Sequence, residues 1–181
     1  MKKLFLIVFC CYFITEGFPH EPNHAYFKII KKITEVEVIA EFPWSLRNAL
    51  FLYCPALEKH NDSISMDVVF KEYLIENLIL LDANGTSFEL DSYEYLEMEG
   101  HVHQNTYKII YKGENLHKIK NTIMFNLYFS QTNYHSFRES EAFFTTTSKS
   151  NLIVIPTISN IVLWMLLSLT VFMFIFIKRM I

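Results

Sequence analysis

Most of the chain between residues 25 and 148 alternates between apolar and polar positions with the period of a β-strand. In the run TEVEVIAEF (34–42), the apolar positions are Val36, Val38 and Ala40, and the alternate positions are Glu35, Glu37, Ile39 and Glu41. This alternation is typical of a strand with one buried face and one exposed face. The lysines at positions 31 and 32 separate this run from AYFKII (25–30), and the pair of runs predicts a hairpin.

Four more segments predict strands because they are rich in β-branched and aromatic residues, and the first of them predicts two strands joined by a turn. They are LILLDANGTSFEL (78–90), YKIIYKG (107–113), NTIMFNLYF (121–129) and EAFFTTTS (141–148). The first contains Asn84-Gly85, a dipeptide that favours a type I′ hairpin turn, because both residues tolerate a positive φ. Together the segments predict about seven strands.

Two segments have the spacing of short helices. The first is residues 43–50, which begin with Pro43, and Ser45 is its predicted N-cap. In residues 62–77, Asp62 or Ser63 is the predicted cap, and apolar residues recur at three- and four-residue spacing: Met66, Val69, Phe70, Tyr73 and Leu74. Helices without a regular βαβ alternation predict a mainly β sandwich that carries a helical insertion.

The first 17 residues have the pattern of a secretory signal peptide. Lys2 and Lys3 precede an apolar run of 11 residues, from Leu4 to Ile14, which is too short to cross a bilayer. Thr15 and Gly17 are small enough for the −3 and −1 positions, so cleavage is predicted after Gly17. The alternative is a buried N-terminal strand or helix.

Residues 157–177 are 21 consecutive residues without a charge. As a helix they would span roughly 31 Å, close to the thickness of the hydrocarbon core. Lys178 and Arg179 follow directly, and basic flanks favour the cytoplasmic side. We expect a transmembrane helix, a tether at 151–156, an exported domain at 18–150 and a cytoplasmic tail at 178–181. A buried core helix or a tail removed during lipid anchoring are the alternatives.

The charge of the exported domain limits the partners it can bind, and its cysteine content limits how its fold can be stabilised. The predicted exported domain, residues 18–150, contains 12 basic and 18 acidic residues, and this excess of acid disfavours a nucleic-acid partner. Cys54 is the single cysteine of that region, so no internal disulfide can form and the fold must depend on its hydrophobic core.

The order of three segments resembles an uncharacterised family of small exported bacterial proteins. The segments are ENLILLDANGTSFELDSYEYLE, NTIMFNLYFSQTNYHSF and FFTTT, and the second contains a Gln-x-Asn element at Gln131-Thr132-Asn133. The resemblance spans about residues 25–147. It implies a bacterial envelope domain with an immunoglobulin-like β-sandwich, and it implies no activity. The predicted C-terminal span is an addition to that family's pattern.

The sequence contains no recognised catalytic motif: no glycine-rich phosphate loop, no G-x-S-x-G, no H-E-x-x-H and no C-x-x-C. One segment, His101-Val102-His103, nevertheless has side chains that could bind a metal ion. On a strand, the two histidines would lie on one face about 6.6 Å apart and could share copper or zinc, and His20 and His24 could complete the site. The alternative is an exposed turn that begins at Gly100.

Two further features have an ordinary interpretation and a functional one. The acidic run after Asp82 (Glu89, Asp91, Glu94, Glu97 and Glu99) could bind a basic partner, but its spacing is more typical of the exposed face of a strand. Trp44 with Arg47 could form a recognition patch, but a Trp beside Pro43 is expected to pack into the core.

We therefore expect a non-enzymatic, single-pass protein of the bacterial inner membrane, with its N-terminal domain in the periplasm and its C-terminus in the cytoplasm. Membrane lipid would contact residues 157–177, and another envelope protein would bind the domain. No cofactor is expected. The competing hypothesis is a periplasmic accessory protein that handles copper or zinc through His101 and His103.

Overall fold

A computed structural model describes residues 21–59, 64–97, 104–137 and 143–155. In this part the fold is mainly β, with nine strands and two helices. The elements, in chain order, are β1 (His24–Lys31), β2 (Glu35–Pro43), α1 (Leu46–Tyr53), a 3-10 turn (Pro55–Leu57), α2 (Met66–Asn77), β3 (Leu78–Leu81), β4 (Glu89–Leu96), β5 (Gln104–Lys112), β6 (Lys118–Asn121), β7 (Thr132–Phe137), β8 (Phe143–Thr147) and β9 (Leu152–Val154).

Six strands form one sheet in the order β4-β5-β2-β1-β7-β8. The predicted hairpin of β1 and β2 is confirmed, with Lys31 opposite Val36. The alternation of β2 is also confirmed, because Val36, Val38 and Ala40 are buried. Neighbouring strands are antiparallel except β1 and β7, which run parallel, with His24 opposite Thr132.

The other three strands form a second, antiparallel sheet in the order β3-β6-β9. Ile119 on β6 lies between Leu80 on β3 and Ile153 on β9. Residues 152–154, which lie inside the predicted tether at 151–156, pair with β6 and bury Ile153. The apolar side chain of Ile153 is sheltered from water because β9 joins the sheet.

One buried cluster contains inward side chains from both sheets and from both helices. Phe27, Val38 and Ile109 enter it from the six-stranded sheet, and Leu80 and Ile119 enter it from the three-stranded sheet. The hydroxyl of Tyr111 crosses the cluster and donates to the carbonyl oxygen of Leu78 at 2.9 Å. The core therefore lies where the two sheets and the helices meet.

Helix α2 buries the stripe that the sequence predicts, with one exception. Val69, Phe70, Tyr73 and Leu74 are buried, whereas Met66 in the first turn is exposed. The N-cap is Ser65, whose side chain accepts from the amide of Asp67, so the helix begins later than predicted. Asp62 and Ser63, the predicted caps, lie outside the described residues.

Two predicted strand arrangements are wrong. Residues 121–129 were predicted as one strand, but β6 ends at Asn121 and a turn follows, in which Met124 has a φ of +62°. Ile123 and Met124 are both buried although they are consecutive. An extended strand would direct them to opposite faces. Their apolar character therefore reflects burial of a loop.

The Asn84-Gly85 turn does not close a hairpin within one sheet. Strands β3 and β4 belong to different sheets, and beside the turn the chain makes an isolated antiparallel bridge between Leu81 on β3 and Ser87, which precedes β4. Gly85 has a φ of +87°, but Asn84 does not share it, so the turn is not type I′. The Asp82 carboxylate shapes it by accepting from the amides of Asn84 and Thr86, both at 2.8 Å.

None of the helices in the described ranges is long and apolar enough to cross a membrane. The predicted signal peptide (1–17), transmembrane helix (157–177) and tail (178–181) lie outside those ranges, so these three remain predictions. The boundaries of the exported domain at residues 18 and 150 remain predictions as well.

Candidate functional site

The six-stranded sheet has two ends that differ in their exposed side chains. Strands β1 and β7 begin, and strand β2 ends, at what we call the aromatic end, which carries exposed Trp44 and Phe129. The opposite end, which we call the exit end, is where the chain leaves the described residues. There, the amide of Ile155 donates to the carbonyl oxygen of His117 at 2.8 Å, and the Lys31 ammonium reaches the carbonyl oxygen of Leu116 at 3.3 Å.

Trp44 was expected to pack into the core, and this is wrong: the side chain is 60% exposed. The next residue, Ser45, is fully buried and its hydroxyl donates to the carbonyl oxygen of Pro22 at 2.8 Å. That bond occupies the hydroxyl, so Ser45 stands at the N-cap of α1 without making a side-chain cap. Because the backbone between β2 and α1 faces inward at Ser45, Trp44 faces solvent.

Arg47 contacts an aromatic ring on its own helix. Its guanidinium lies over the ring of Phe51, with the Arg47 Cζ atom 5.7 Å from the ring centroid. The contact is one turn apart on α1, which is the spacing at which helical side chains meet. The patch of Trp44 with Arg47 remains a prediction.

Phe129 is 81% exposed and lies in the loop between β6 and β7. Two other parts of the chain hold the backbone at Phe129 and at Ser130. The Ser148 hydroxyl donates to the carbonyl oxygen of Phe129 at 3.1 Å, and the Asn23 amide donates to the carbonyl oxygen of Ser130 at 3.1 Å. The exposed ring of Phe129 is therefore attached to a backbone that hydrogen bonds hold in place.

Trp44 and Phe129 flank the same N-terminal segment. Pro22 is hydrogen bonded to the neighbour of Trp44, and Asn23 is hydrogen bonded to the neighbour of Phe129. Asn126, in the loop that carries Phe129, also donates to the carbonyl oxygen of Ala49 on α1 at 2.9 Å. These contacts connect the two exposed aromatic residues through one hydrogen-bonded frame.

Beneath this frame lies a buried chain of polar side chains. The Gln131 amide donates to Oδ1 of Asn133 at 2.8 Å, and the Asn133 amide donates to Oδ1 of Asn121 at 3.0 Å. Asn133 also donates to the carbonyl oxygen of Ile123 at 3.1 Å, and Asn121 Oδ1 accepts from the amide of Ile123 at 3.0 Å. The network therefore fixes the start of the loop that carries Phe129, because buried polar groups are stable only when they are paired.

His135 ends this chain and is fully buried. Its Nδ1 lies 3.2 Å from the carbonyl oxygen of Phe144, which can only accept, so Nδ1 carries the hydrogen. Its Nε2 then accepts from the Asn121 amide at 3.0 Å. Burial lowers the pKa of His135 to about 4, so the imidazole is neutral at pH 7. Both nitrogens are engaged, and His135 acts as a structural link between sheets.

The sequence contains a signal for this network. Gln131, Asn133 and His135 alternate, which places three polar side chains on the face of a strand that points into the core. A period-two polar pattern next to apolar strands is unusual, because buried polar groups need partners. Oε1 of Gln131, and the buried hydroxyl of Thr146 on β8, opposite Asn133, have no hydrogen-bond partner among the described residues.

The acidic run on β4 belongs to the exposed face of the sheet. Asp91 is paired with Lys112, and Glu94 is paired with Lys108 at 2.8 Å, both across the ladder on β5. The hydrogen bond that Lys112 donates lowers the pKa of Asp91, and the hydrogen bond that Lys108 donates to Glu94 raises the pKa of Lys108. Because these carboxylates are paired with lysines across the strands, the acidic run is better interpreted as an exposed strand face than as a site for a basic partner.

His101 and His103 lie outside the described residues, as do Glu99 and Gly100. The ends of the flanking strands are described: β4 ends at Leu96, and β5 begins at Gln104, opposite Pro43 at the aromatic end. His24 begins β1 on the other side of β2, and its Nε2 lies 3.3 Å from Oε2 of Glu21. Within the four described ranges, no group of three or more His, Cys, Asp or Glu side chains could hold a metal ion.

No protein-family model matches the sequence, and no curated protein is similar to it at a significant level. The resemblance to a family of exported bacterial proteins therefore remains a prediction. Any function has to be argued from the geometry of the chain itself.

Proposed function

We propose that this chain is a single-pass, membrane-anchored protein of the bacterial envelope whose exported domain binds another protein through the aromatic end. It is exported by the signal peptide at 1–17, held in the inner membrane by residues 157–177, and performs no catalysis. The observation that carries the proposal is the pair of exposed aromatic residues, Trp44 and Phe129, on a backbone fixed by hydrogen bonds.

The domain in this proposal is an immunoglobulin-like β-sandwich. Two sheets of mostly antiparallel strands contribute inward side chains to one core, as the layers of a sandwich do. Such domains bind partners through loops at the ends of the strands, where backbone and side chains are free of the ladder. The aromatic end is a surface of that kind.

Aromatic side chains are enriched at the centres of protein interfaces, because they bury a large apolar area and have few rotatable bonds. Trp44 is 60% exposed and Phe129 is 81% exposed, so both rings have area to bury in a complex. Because Ser45 and Ser130 tie their backbones to the N-terminal segment, binding would order little of the chain.

The position of this end also suits a partner in the periplasm. The chain leaves the described residues at Ile155, at the exit end, and the predicted membrane span begins at residue 157. The aromatic end lies at the other end of the strands. A domain anchored at the exit end therefore presents Trp44 and Phe129 away from its anchor.

Photo-crosslinking in native membranes tests the proposal. A photoreactive amino acid would replace Trp44 or Phe129 in the full-length chain, and the matched control would be Phe143, which is 58% exposed at the exit end of β8. We expect one discrete protein adduct from positions 44 and 129 and none from 143. Trp44→Ala should reduce the adduct at 129 by roughly 30-fold, the effect of removing an interface residue worth about 2 kcal/mol.

Equal adducts at all three positions would reflect random collision and would contradict the proposal. Loss of the adduct together with loss of the protein from the membrane would point to a folding defect. The measurement therefore includes resistance of each variant to carbonate extraction, which reports on the anchor independently of the partner.

The second candidate function is metal handling through His101 and His103. The observation in its favour is that β5 begins at Gln104 on one side of the end of β2, while His24 begins β1 on the other side. Two strand spacings are about 10 Å, which histidine side chains can bridge with a metal between them. Copper or zinc suits imidazole ligands.

Titration of the purified full-length chain with copper or zinc separates this function from the first. His101→Ala with His103→Ala should abolish tight binding, and His24→Ala should weaken it if the third ligand comes from β1. Binding that is unchanged in the double variant would end the metal hypothesis. Trp44→Ala is the matched control and should leave metal affinity unchanged.

A further inference from the structure

The outward face of the three-stranded sheet combines aliphatic and basic side chains. Alternation along the strands sends Leu80, Ile119 and Ile153 into the core and their neighbours outward. The outward residues form two rows across the sheet, Ile79–Lys120–Leu152 and Leu81–Lys118–Val154. Each row therefore has a lysine on the middle strand and an aliphatic side chain on either side.

The aliphatic part of this face is open to solvent. Leu152 is 44% exposed and Val154 is 54% exposed, both on the edge strand β9. Soluble surfaces normally place polar groups at such positions on an edge strand. Two neighbouring exposed aliphatic residues, next to two half-buried ones on β3, form a continuous apolar strip along both sides of the lysines.

The charge of this face is uniformly positive. The ion pairs that the described residues form involve other cations, namely His24, Lys32, Lys108 and Lys112. Asp82 directly follows Leu81, and its carboxylate accepts hydrogen bonds from backbone amides in its own turn. Lys118 and Lys120 are therefore available to an external anion, and lysine chains can lie along apolar surface while their ammonium groups reach a polar layer.

The distance to the predicted membrane span is short. Val154 is followed by Ile155 and Pro156, and the uncharged run begins at Thr157. Three residues extend at most about 10 Å. A face that includes Val154 therefore cannot be far from the lipid surface when residues 157–177 cross the bilayer.

We propose that the outward face of the three-stranded sheet lies on the anionic lipid headgroups of the membrane, with Lys118 and Lys120 on phosphates and Leu152 and Val154 in the interfacial layer. This inference rests on the proposed membrane anchor and adds the surface and the lipid class to it. The anchor supplies a high local concentration, so a contact that would be weak in free solution becomes occupied. Each lysine near an anionic surface contributes about a fivefold change in the docked population.

The test uses the full-length chain reconstituted in liposomes, with Cys10, Cys11 and Cys54 changed to serine. A polarity-sensitive fluorophore is attached at Val154→Cys, and the matched control is Lys28→Cys, exposed on the outward face of β1. The liposomes contain phosphatidylcholine alone or with phosphatidylglycerol, and a spin-labelled lipid headgroup serves as quencher. We expect strong quenching at position 154 with phosphatidylglycerol, weak quenching without it, and weak quenching at position 28 in both.

Lys118→Gln combined with Lys120→Gln should lower the ratio of docked to undocked domain by roughly 25-fold, and added salt should act in the same direction. A chain that floats with the liposomes while position 154 stays as unquenched as position 28 would overturn this inference and leave the anchor standing. A chain that does not float with the liposomes would overturn the anchor and the inference together.

The variant Ile33→Ser distinguishes docking through this face from docking through the hairpin tip at the exit end. Ile33, between β1 and β2, is 88% exposed beside a cleft of about 540 Å³. If Ile33→Ser abolishes quenching at position 154 and the double lysine variant does not, the domain stands on its hairpin tip and the proposed face is wrong. Quenching that survives Ile33→Ser and is lost in the lysine variant supports the face.

Discussion

The side-chain amide of Asn121 on β6 donates a 3.0 Å hydrogen bond to Nε2 of His135 on β7, and this bond joins the two sheets. The bond requires that Nε2 carry no hydrogen. The bond can therefore form only when His135 is neutral, because both nitrogens of a protonated imidazole are donors.

The first prediction concerns acid stability. An unfolded histidine titrates near pH 6.5, whereas burial lowers the pKa of His135 to about 4 in the folded chain. Between these values the unfolded chain binds the extra proton, so acid favours unfolding. The free energy of unfolding should have its full value above pH 6.5 and fall by about 3 kcal/mol as the pH drops to 4, measured by urea titration.

His135→Gln provides the control for this pH dependence. The variant should be less stable at pH 7, and its stability should change little between pH 6.5 and 4.5, because most carboxylates titrate below that range. A slope as steep as that of the original chain would assign the effect to another group.

The second prediction concerns the polar chain itself. Asn133→Ala removes the acceptor of the Gln131 amide and one donor to Asn121, and it leaves the carbonyl oxygen of Ile123 without that bond. Leaving buried polar groups unpaired should lower the free energy of unfolding by about 3 kcal/mol in urea titration. Asn84→Ala, in an exposed turn, is the control and should change it by less than about 0.5 kcal/mol.

The third prediction compares two residues of the helix stripe. Phe70 is 4% exposed, and its ring centroid lies 5.3 Å from that of Tyr93. Phe70→Ala should cost about 3 to 5 kcal/mol, as truncation of a buried aromatic residue does. Met66, 39% exposed on the same helix, should cost less than about 1 kcal/mol when changed to Ala. Equal losses in thermal or urea unfolding would contradict the burial assigned to α2.

The fourth prediction concerns where a soluble fragment can end. A fragment ending at Ser150 lacks β9 and the side chains of Ile153 and Ile155, each 6% exposed. Compared with a fragment ending at Ile155, it should be less stable by at least about 4 kcal/mol, because two buried isoleucines are lost. Equal urea midpoints for the two fragments would show that β9 contributes nothing. Neither midpoint should depend on reducing agent, because Cys54 is the sole cysteine of either fragment.

Strands with one buried and one exposed face were predictable from sequence. The alternation of Val36 and Val38 with Glu35 and Glu37 survives in the fold, because a period of two is a local property of an extended chain. The stripe on α2 was predictable for the same kind of reason. Its one failure, Met66, lies in the first turn, where the helix extends beyond the core.

The assignment of strands to sheets was not predictable from sequence. It depends on contacts between distant segments, so the Asn84-Gly85 turn was mistaken for a hairpin although it leads from one sheet to the other. Residues 121–129 were mistaken for a strand because their apolar density reflects burial, and burial is shared by strands and packed loops.

The candidate site was only partly predictable. Trp44 was identified as notable, but its solvent exposure depends on the buried hydroxyl of Ser45, whose acceptor is 23 residues earlier in the chain. Phe129 was hidden in the wrongly predicted strand. His135 was not identified at all, because its role depends on Asn121 and Phe144, and neither pairing leaves a local pattern.

The parallel pairing of β1 with β7 has a consequence for the order in which the domain can be completed. Asn23 and Ser130, which are hydrogen bonded where the two strands begin, are 107 positions apart. A chain that emerges N-terminus first presents β1 and β2 early as a hairpin, but the free edge of β1 stays open until β7 has emerged. An open edge of this kind can pair with another chain. The interval between the synthesis of β1 and that of β7 is therefore the period in which the edge of β1 is most open to pairing with another chain.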